Sequence, residues 1–282
     1  MKLLRYGTSG HERAGVLDPA GRIRSLEGIV DDIAGDTLSP RSLDKLASLN
    51  LEKLQLVETG TRIGPCVGRV GKFIAIGLNY SEHAAETGAK IPDEPVMFMK
   101  ATSCINGPYD DIVIPRGSKK TDWEVELGVI IGTKAKYVAE ADALNHVAGY
   151  CTVHDVSERE FQIERGGTWD KGKGCDTFGP IGPWLVTKDE VPNPQNLALW
   201  LEVDGRRYQN GNTRTMIFPV AKLVSYLSQF MTLHPGDMIT TGTPSGVGMA
   251  QKPAPIYLRP GQTVRLSVEG LGEQKQRTIA DQ

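Results

Sequence analysis

The chain has 282 residues, a formal net charge of −2 and a pI near 6.2. That length allows one large domain or a small one joined to a larger, with ample material for a core. The charge balance offers no basic footprint for nucleic acid or an anionic membrane, and apolar runs are too short to span a bilayer.

No signal-peptide pattern follows Met1. Cys66, Cys104, Cys151 and Cys175 are scattered and lack Cys-x-x-Cys spacing, so they read as reduced thiols in a cytoplasmic protein. Residues from Leu3 to about Ile23 predict a hairpin turning at Asp18-Pro19-Ala20-Gly21. Ser39-Pro40 is an N-cap followed by proline at the first helical position, and Leu43 and Leu46 continue at helical spacing. Nothing before Gly64 carries a chemical constellation. Residues 1–70 therefore read as a small N-terminal α/β domain, and 71–282 as a second, larger domain.

From Lys72 the pattern changes. Phe73-Ile74-Ala75-Ile76 predicts a buried strand, and Asn79 with Glu82 fits a capping box that starts a short helix ending at Gly88. On that helix His83 and Glu86 are three apart and share a face. A carboxylate beside an imidazole fixes its tautomer and suits a general base acting on water. As an isolated pair, the same residues are usually solvent-exposed and of little energetic effect. Val96–Lys100 and Ile112–Pro115 are further strands.

The segment Thr121-Asp122-Trp123-Glu124-Val125-Glu126-Leu127-Gly128-Val129-Ile130-Ile131 predicts a strand rich in β-branched and apolar residues. Alternation puts Glu124 and Glu126 on one face, roughly 6.6 Å apart along the strand. Taken alone, a Glu-x-Glu is commonly a solvated edge. The apolar run that begins at Leu127 instead argues for an interior strand. There two unpaired carboxylates cost on the order of several kcal/mol, which a hard divalent cation offsets.

Tyr150 to Asp155 is another strand, ending in a candidate third carboxylate. Three carboxylates without a Cys or His ligand pattern select Mg²⁺, Mn²⁺ or Ca²⁺ over zinc. Ser157 and Glu160 form a second capping box, launching a helix with Arg159 and Gln162. Lys173 lies in a glycine-rich loop, placed to meet negative charge on a carbonyl oxygen. Leu197 to Val203 alternates as a strand turning at Asp204-Gly205, and Pro219 to Phe230 is an amphipathic helix. The loop Thr241-Gly242-Thr243-Pro244-Ser245-Gly246-Val247-Gly248 could present backbone N–H groups to a substrate carboxylate. Many strands and few short helices imply a β-rich α+β fold.

These segments together resemble the fumarylacetoacetate hydrolase family. The similarity is carried by Ile76-Gly77-Leu78-Asn79-Tyr80 with His83 and Glu86, Trp123 to Gly128, Asp155 with Arg159 and Gln162, Gly172-Lys173, and Thr241 to Gly248. The N-terminal piece looks like the cap of bacterial members that hydrolyse 2,4-diketo-3-deoxy sugar acids, relatives often labelled ureidoglycolate lyase. The resemblance implies a mixed β-sandwich or roll, a homodimer, and a divalent ion held by Glu124, Glu126 and Asp155. It also implies hydrolysis of a carbon–carbon bond in a 1,3-diketo acid, releasing pyruvate. His83, Glu86 and Lys173 would be catalytic, and Arg159, Gln162 and Thr243 would bind substrate. No aspartate lies between Gly77 and Tyr80, where the founding mammalian enzyme has a fourth ligand, which moves the expected substrate away from fumarylacetoacetate. Cys175 also stands where many relatives carry an aromatic residue. The competing expectations are a metal-dependent decarboxylase or lyase of oxaloacetate type, then a glycosidase, then a non-catalytic binding protein.

Overall fold

The computed structural model describes residues 1–88 and 90–281, without the side chains of residues 84, 85 and 87. Strands β1 (Lys2–Tyr6), β2 (Arg13–Leu17) and β3 (Ile23–Ser25) make two successive hairpins. Helix α1 (Pro40–Ala47) begins where Ser39 accepts the Ser42 N–H, as its cap-and-proline start requires. Then come β4 (Phe73–Gly77), α2 (Ser81–Thr87), β5 (Val96–Lys100) and the short β6 (Ile105–Asn106) and β7 (Ile112–Ile114). The middle of the chain supplies β8 (Thr121–Asp122), β9 (Val125–Ile131), β10 (Val147–His154), β11 (Ser157–Glu158), α3 (Asp170–Lys173) and β12 (Gly179–Thr187). The last elements are β13 (Ala198–Val203), β14 (Arg206–Asn212), α4 (Val220–Phe230), β15 (Met238–Thr240), β16 (Thr263–Val268) and β17 (Glu273–Ala280).

The fold is β-rich α+β, in agreement with the strand-dominated sequence. One large mixed sheet runs β3-β2-β1-β12-β10-β9-β15-β4-β5. A second runs β14-β13-β16-β17-β7. Val125, Leu127, Val129 and Ile131 of β9 join Leu199 and Leu201 of β13 and Val264, Leu266 and Val268 of β16 in one core, which α4 closes with Leu223, Val224 and Leu227. Strand β9 is interior, flanked by β10 and β15, and every residue in it is buried. The N-terminal strands continue the large sheet, because β1 pairs antiparallel with β12.

Several local expectations need correction. The Thr121–Ile131 strand is broken at Trp123 and Glu124, so β8 pairs with β11 while β9 pairs with β10. Asn79 does not cap α2. Its amide donates to the Phe218 and Thr241 carbonyls and its oxygen accepts the Phe218 N–H, stapling β4 to two distant loops. Ser157 sits in β11 and donates to the Asp155 carbonyl, while Glu158 accepts the Glu160 N–H in the role assigned to Ser157. The turn that follows, Glu160–Glu164, is a π-turn. Lys173 closes a one-turn helix rather than lying in an open loop. On α4, Val220, Leu223, Val224 and Leu227 are buried as the periodicity requires, but Phe230 is largely exposed.

Leu266 lies fully buried in the inter-sheet core and away from the cavity. Leu266→Ala should lower unfolding free energy by about 2–5 kcal/mol in denaturant titration while leaving divalent-ion affinity unchanged.

Candidate metal centre and active site

Strand register assembles the acidic cluster. Glu126 faces Val153 and Val125 faces His154 across the β9–β10 ladder. One step further, the Asp155 N–H donates to the Glu124 carbonyl at 2.9 Å, so the residue following β10 lies beside the residue preceding β9. Ligand oxygens of Glu124, Glu126 and Asp155 all lie within 4.8 Å of one another. All three side chains are buried, Glu126 with 1 % of its surface exposed. Among the described residues they are the one group of three such side chains close enough to share an ion.

Basic groups surround two of the three. Lys173 Nζ donates to Glu124 Oε2 at 2.5 Å and to Asp155 Oδ2 at 2.7 Å. Arg159 uses each of its three nitrogens on the scaffold, donating to Asp122 (2.8 Å), Gln162 Oε1 (3.0 Å) and Glu124 Oε1 (2.7 Å). Burial works to raise the Glu124 pKa, but Lys173 and Arg159 overcome it and hold that carboxyl far below its ordinary range. Burial likewise opposes charge on Lys173, yet Asp155 and Glu124 raise its pKa. Glu126 differs. Among the described residues its Oε2 accepts from the Thr240 hydroxyl (2.5 Å) and the Gly242 N–H (2.8 Å), both neutral. Burial, then Asp155 and Glu124, push its pKa well above the usual carboxylate value. Four buried carboxyl groups, counting Asp122, thus face three buried cations, Lys100, Arg159 and Lys173. Ionising Glu126 as well would leave one negative charge over on hard oxygen donors, so these residues fit Mg²⁺, Mn²⁺ or Ca²⁺.

The cluster opens on a cavity of about 190 Å³ whose walls include His83, Gln162, Lys173, Phe98, Trp169 and Met249. His83 is 8 % exposed, and its Nδ1 lies 3.4 Å from Glu86 Oε2. Both oxygens of Glu86 accept the Gly246 N–H (3.0 and 3.1 Å). Trp169 packs edge-on against Phe98, with ring centroids 5.2 Å apart. It fits there because residue 77 is glycine: a Cβ at that position would come within 2.4 Å of the indole. The next residue, Leu78, also lines the cavity and holds a left-handed backbone at φ 53°. A bulky residue in that region is strained, and such strain gathers at functional sites.

The structure thus brings His83, Glu124, Glu126, Asp155, Arg159, Gln162, Lys173 and Thr243 around one cavity, with Glu86 behind His83. The glycine loop works differently from the expectation. Its amides serve the protein's own carboxylates: Gly242 donates to Glu126, Gly246 to Glu86, and Gly248 and Met249 to Asp122. The Thr243 hydroxyl is also committed, donating to the Val125 carbonyl and accepting from Gln209. Sequence reasoning missed Asp122, Lys100, Phe98 and Trp169. A lysine closing the apolar run Val96-Met97-Phe98-Met99 was the available signal for Lys100.

A buried oxygen cluster at one end of a mixed sheet lies beside an imidazole and a lysine, and comparison with known proteins gives the family to which the chain belongs. The family model described as Fumarylacetoacetate (FAA) hydrolase C-terminal matches residues 72–279, and the chain belongs to that family. A Burkholderia cenocepacia (strain HI2424) protein, named a hydrolase by assignment, is 68% identical over 278 residues, covering 99% of each chain. Among solved structures, fumarylacetoacetate hydrolase from Exiguobacterium antarcticum is 32% identical with a TM-score of 0.87, covering 100% of both chains. Maleylpyruvate hydrolase from Sphingobium sp. SYK-6, solved with manganese(II) and pyruvate, is 27% identical with a TM-score of 0.82 at the same coverage. An isomerase, that of 2-hydroxyhepta-2,4-diene-1,7-dioate from Mycobacterium marinum, is 30% identical with a TM-score of 0.77, covering 100% of this chain and 99% of that one.

Because the Glu126 pKa is raised in the fold, its ionisation costs stability as pH climbs from the unfolded value near 4.5 to the folded one. Glu126→Gln can accept the same two hydrogen bonds without the charge. It should raise the melting temperature of chelator-treated protein at pH 8 more than at pH 4.

Proposed function

We propose that the chain is a divalent-metal-dependent hydrolase that cleaves a carbon–carbon bond in a 1,3-diketo (2,4-dioxo) acid and releases pyruvate. The resemblance extends this to a 2,4-diketo-3-deoxy sugar acid as substrate and to a cytoplasmic homodimer, with residues 1–70 as a small domain before the catalytic domain. The observation that carries the reading is the convergence of three buried carboxylates and Lys173 on the cavity that His83 also lines.

In this reading Glu124, Glu126 and Asp155 hold the ion. Bound there, Mg²⁺, or Mn²⁺ or Ca²⁺ in its place, would supply Lewis-acid polarisation and a template for the 2-oxo acid end. Glu86 accepts a hydrogen bond from His83 Nδ1–H, which sets the tautomer in which Nε2 is the base that takes a proton from water. The water oxygen adds to the distal ketone. Two of the three Lys173 donors go to Glu124 and Asp155, and the third meets the negative charge that develops on the ketone oxygen. The carbon–carbon bond then breaks, leaving a carboxylic acid and the enolate of pyruvate, which is protonated on carbon. Arg159 orients Glu124 and Gln162, and the Gln162 amide nitrogen is available to substrate. Thr243 shapes the wall beside Val125.

A second reading, decarboxylation of an oxaloacetate-type 2-oxo acid, is favoured by one observation. The His83–Glu86 contact is long at 3.4 Å, whereas Lys173 meets both of its carboxylates within 2.7 Å. That reaction uses the cluster and Lys173 but no water attack.

The test is a panel of 2,4-dioxo acids with hydroxylated, alkyl and aryl tails, plus oxaloacetate, followed for pyruvate and for CO₂ with Mg²⁺ or Mn²⁺. Pyruvate with a matching carboxylic acid supports the hydrolase; CO₂ alone supports the second reading. His83→Ala should lower kcat roughly 10²- to 10⁴-fold while ion affinity is kept. Normal turnover by that variant would remove His83 from the mechanism.

A further inference from the structure

We propose that Lys100 is a positioning residue that fixes the ion ligand Asp155 and the catalytic lysine Lys173 to one another. This rests on the metal reading of the acidic cluster but not on the identity of the substrate. Lys100 ends β5 and has 2 % of its surface exposed, and its ammonium makes no contact with the cavity. It reaches three acceptors: Asp155 Oδ1 at 2.6 Å, the Lys173 carbonyl at 2.5 Å and the Val156 carbonyl at 3.4 Å. The Phe73 ring lies beneath it, 5.9 Å from ring centre to nitrogen.

Each contact restrains something the site uses. Binding Oδ1 leaves the other Asp155 oxygen, Oδ2, on the side of Lys173 and Glu124. Binding the Lys173 carbonyl fixes the last residue of α3, a helix of only four residues with no side-chain cap. The Val156 carbonyl ties in the residue after the ligand. A single ammonium thus sets the aspartate oxygen and the lysine backbone from behind, where it does not compete for either reacting end.

Charge and position make opposite predictions, which allows a decisive test. A purely electrostatic Lys100 repels a cation nearby, so removing it would tighten ion binding. A positioning Lys100 holds the ligand oxygen in place, and groups of that kind are worth roughly 10- to 100-fold in ion affinity. The experiment is Mn²⁺ titration by calorimetry on chelator-treated full-length wild type, Lys100→Met and Lys100→Arg, with thermal unfolding to verify the fold. The expected result is about tenfold or more weaker Mn²⁺ binding in Lys100→Met, substantially restored in Lys100→Arg. Where a substrate from the panel is turned over, kcat should fall more than KM rises, since Lys173 is displaced as well. Unchanged or tighter Mn²⁺ binding by folded Lys100→Met overturns the proposal. Should Lys100→Met fail to fold, Lys100→Gln, with two donors and no charge, takes its place and is judged by the same outcome. Wild type that takes up no Mn²⁺ would overturn the metal reading, and this proposal with it.

Discussion

Three carboxylates whose oxygens lie within 4.8 Å of one another, inside a core, cannot persist without counter-charge. Much of the surrounding construction answers that constraint. Lys173, Lys100 and Arg159 are buried lysines and arginine of a kind rarely found inside proteins, and each donates to at least one acid of the cluster. The compensation is uneven. Glu124 touches two cations and Asp155 two, whereas Glu126 rests on a hydroxyl and an amide. The cluster is therefore poised for one further positive charge, at a place set by strand register rather than by flexible side chains.

The glycine loop after β15 holds this arrangement from the other side. Its amides bind Glu126, Glu86 and Asp122, so one stretch of backbone supports a member of the acidic cluster, the partner of the imidazole, and the anchor of Arg159. Two glycines there adopt left-handed φ values, 94° at Gly242 and 104° at Gly246, and a Cβ at Gly246 would come within 2.0 Å of the Tyr208 carbonyl. Anion-binding backbone of this sort is usually considered in terms of ligands. Here it is occupied by the chain's own acids, which leaves less of it for substrate than the spacing of glycines alone implies.

What the sequence made legible follows from range. Alternation along β9, the helical period of α4, the Ser39-Pro40 start and the Asp204-Gly205 turn are local patterns, and each appears where its chemistry requires. The pairing of Glu124 with Glu126 belongs to this kind. The addition of Asp155 does not: it depends on the β9–β10 register, so the sequence offered it only as a candidate at a strand end, and the family resemblance supplied the grouping. Capping boxes failed at Asn79 and Ser157 because a local pattern met a stronger distant claim, the 216–218 and 241 segments in one case and β8 pairing in the other. Lys100 and Asp122 escaped notice for a related reason. A charged residue beside apolar ones looks like a strand end until the partners arriving from 37 or more residues away are known.

The seat of Trp169 in the space above Gly77 joins two parts of the site that sequence keeps far apart. The glycine precedes the helix that carries His83, and the indole opens the helix that carries Lys173. Neither helix can be re-aimed without disturbing the contact, so drift at one position restricts what is tolerated at the other. The chain has four tryptophans, and of these Trp169 is the one on the cavity wall. Its emission is a built-in optical gauge of how the two helices sit against each other.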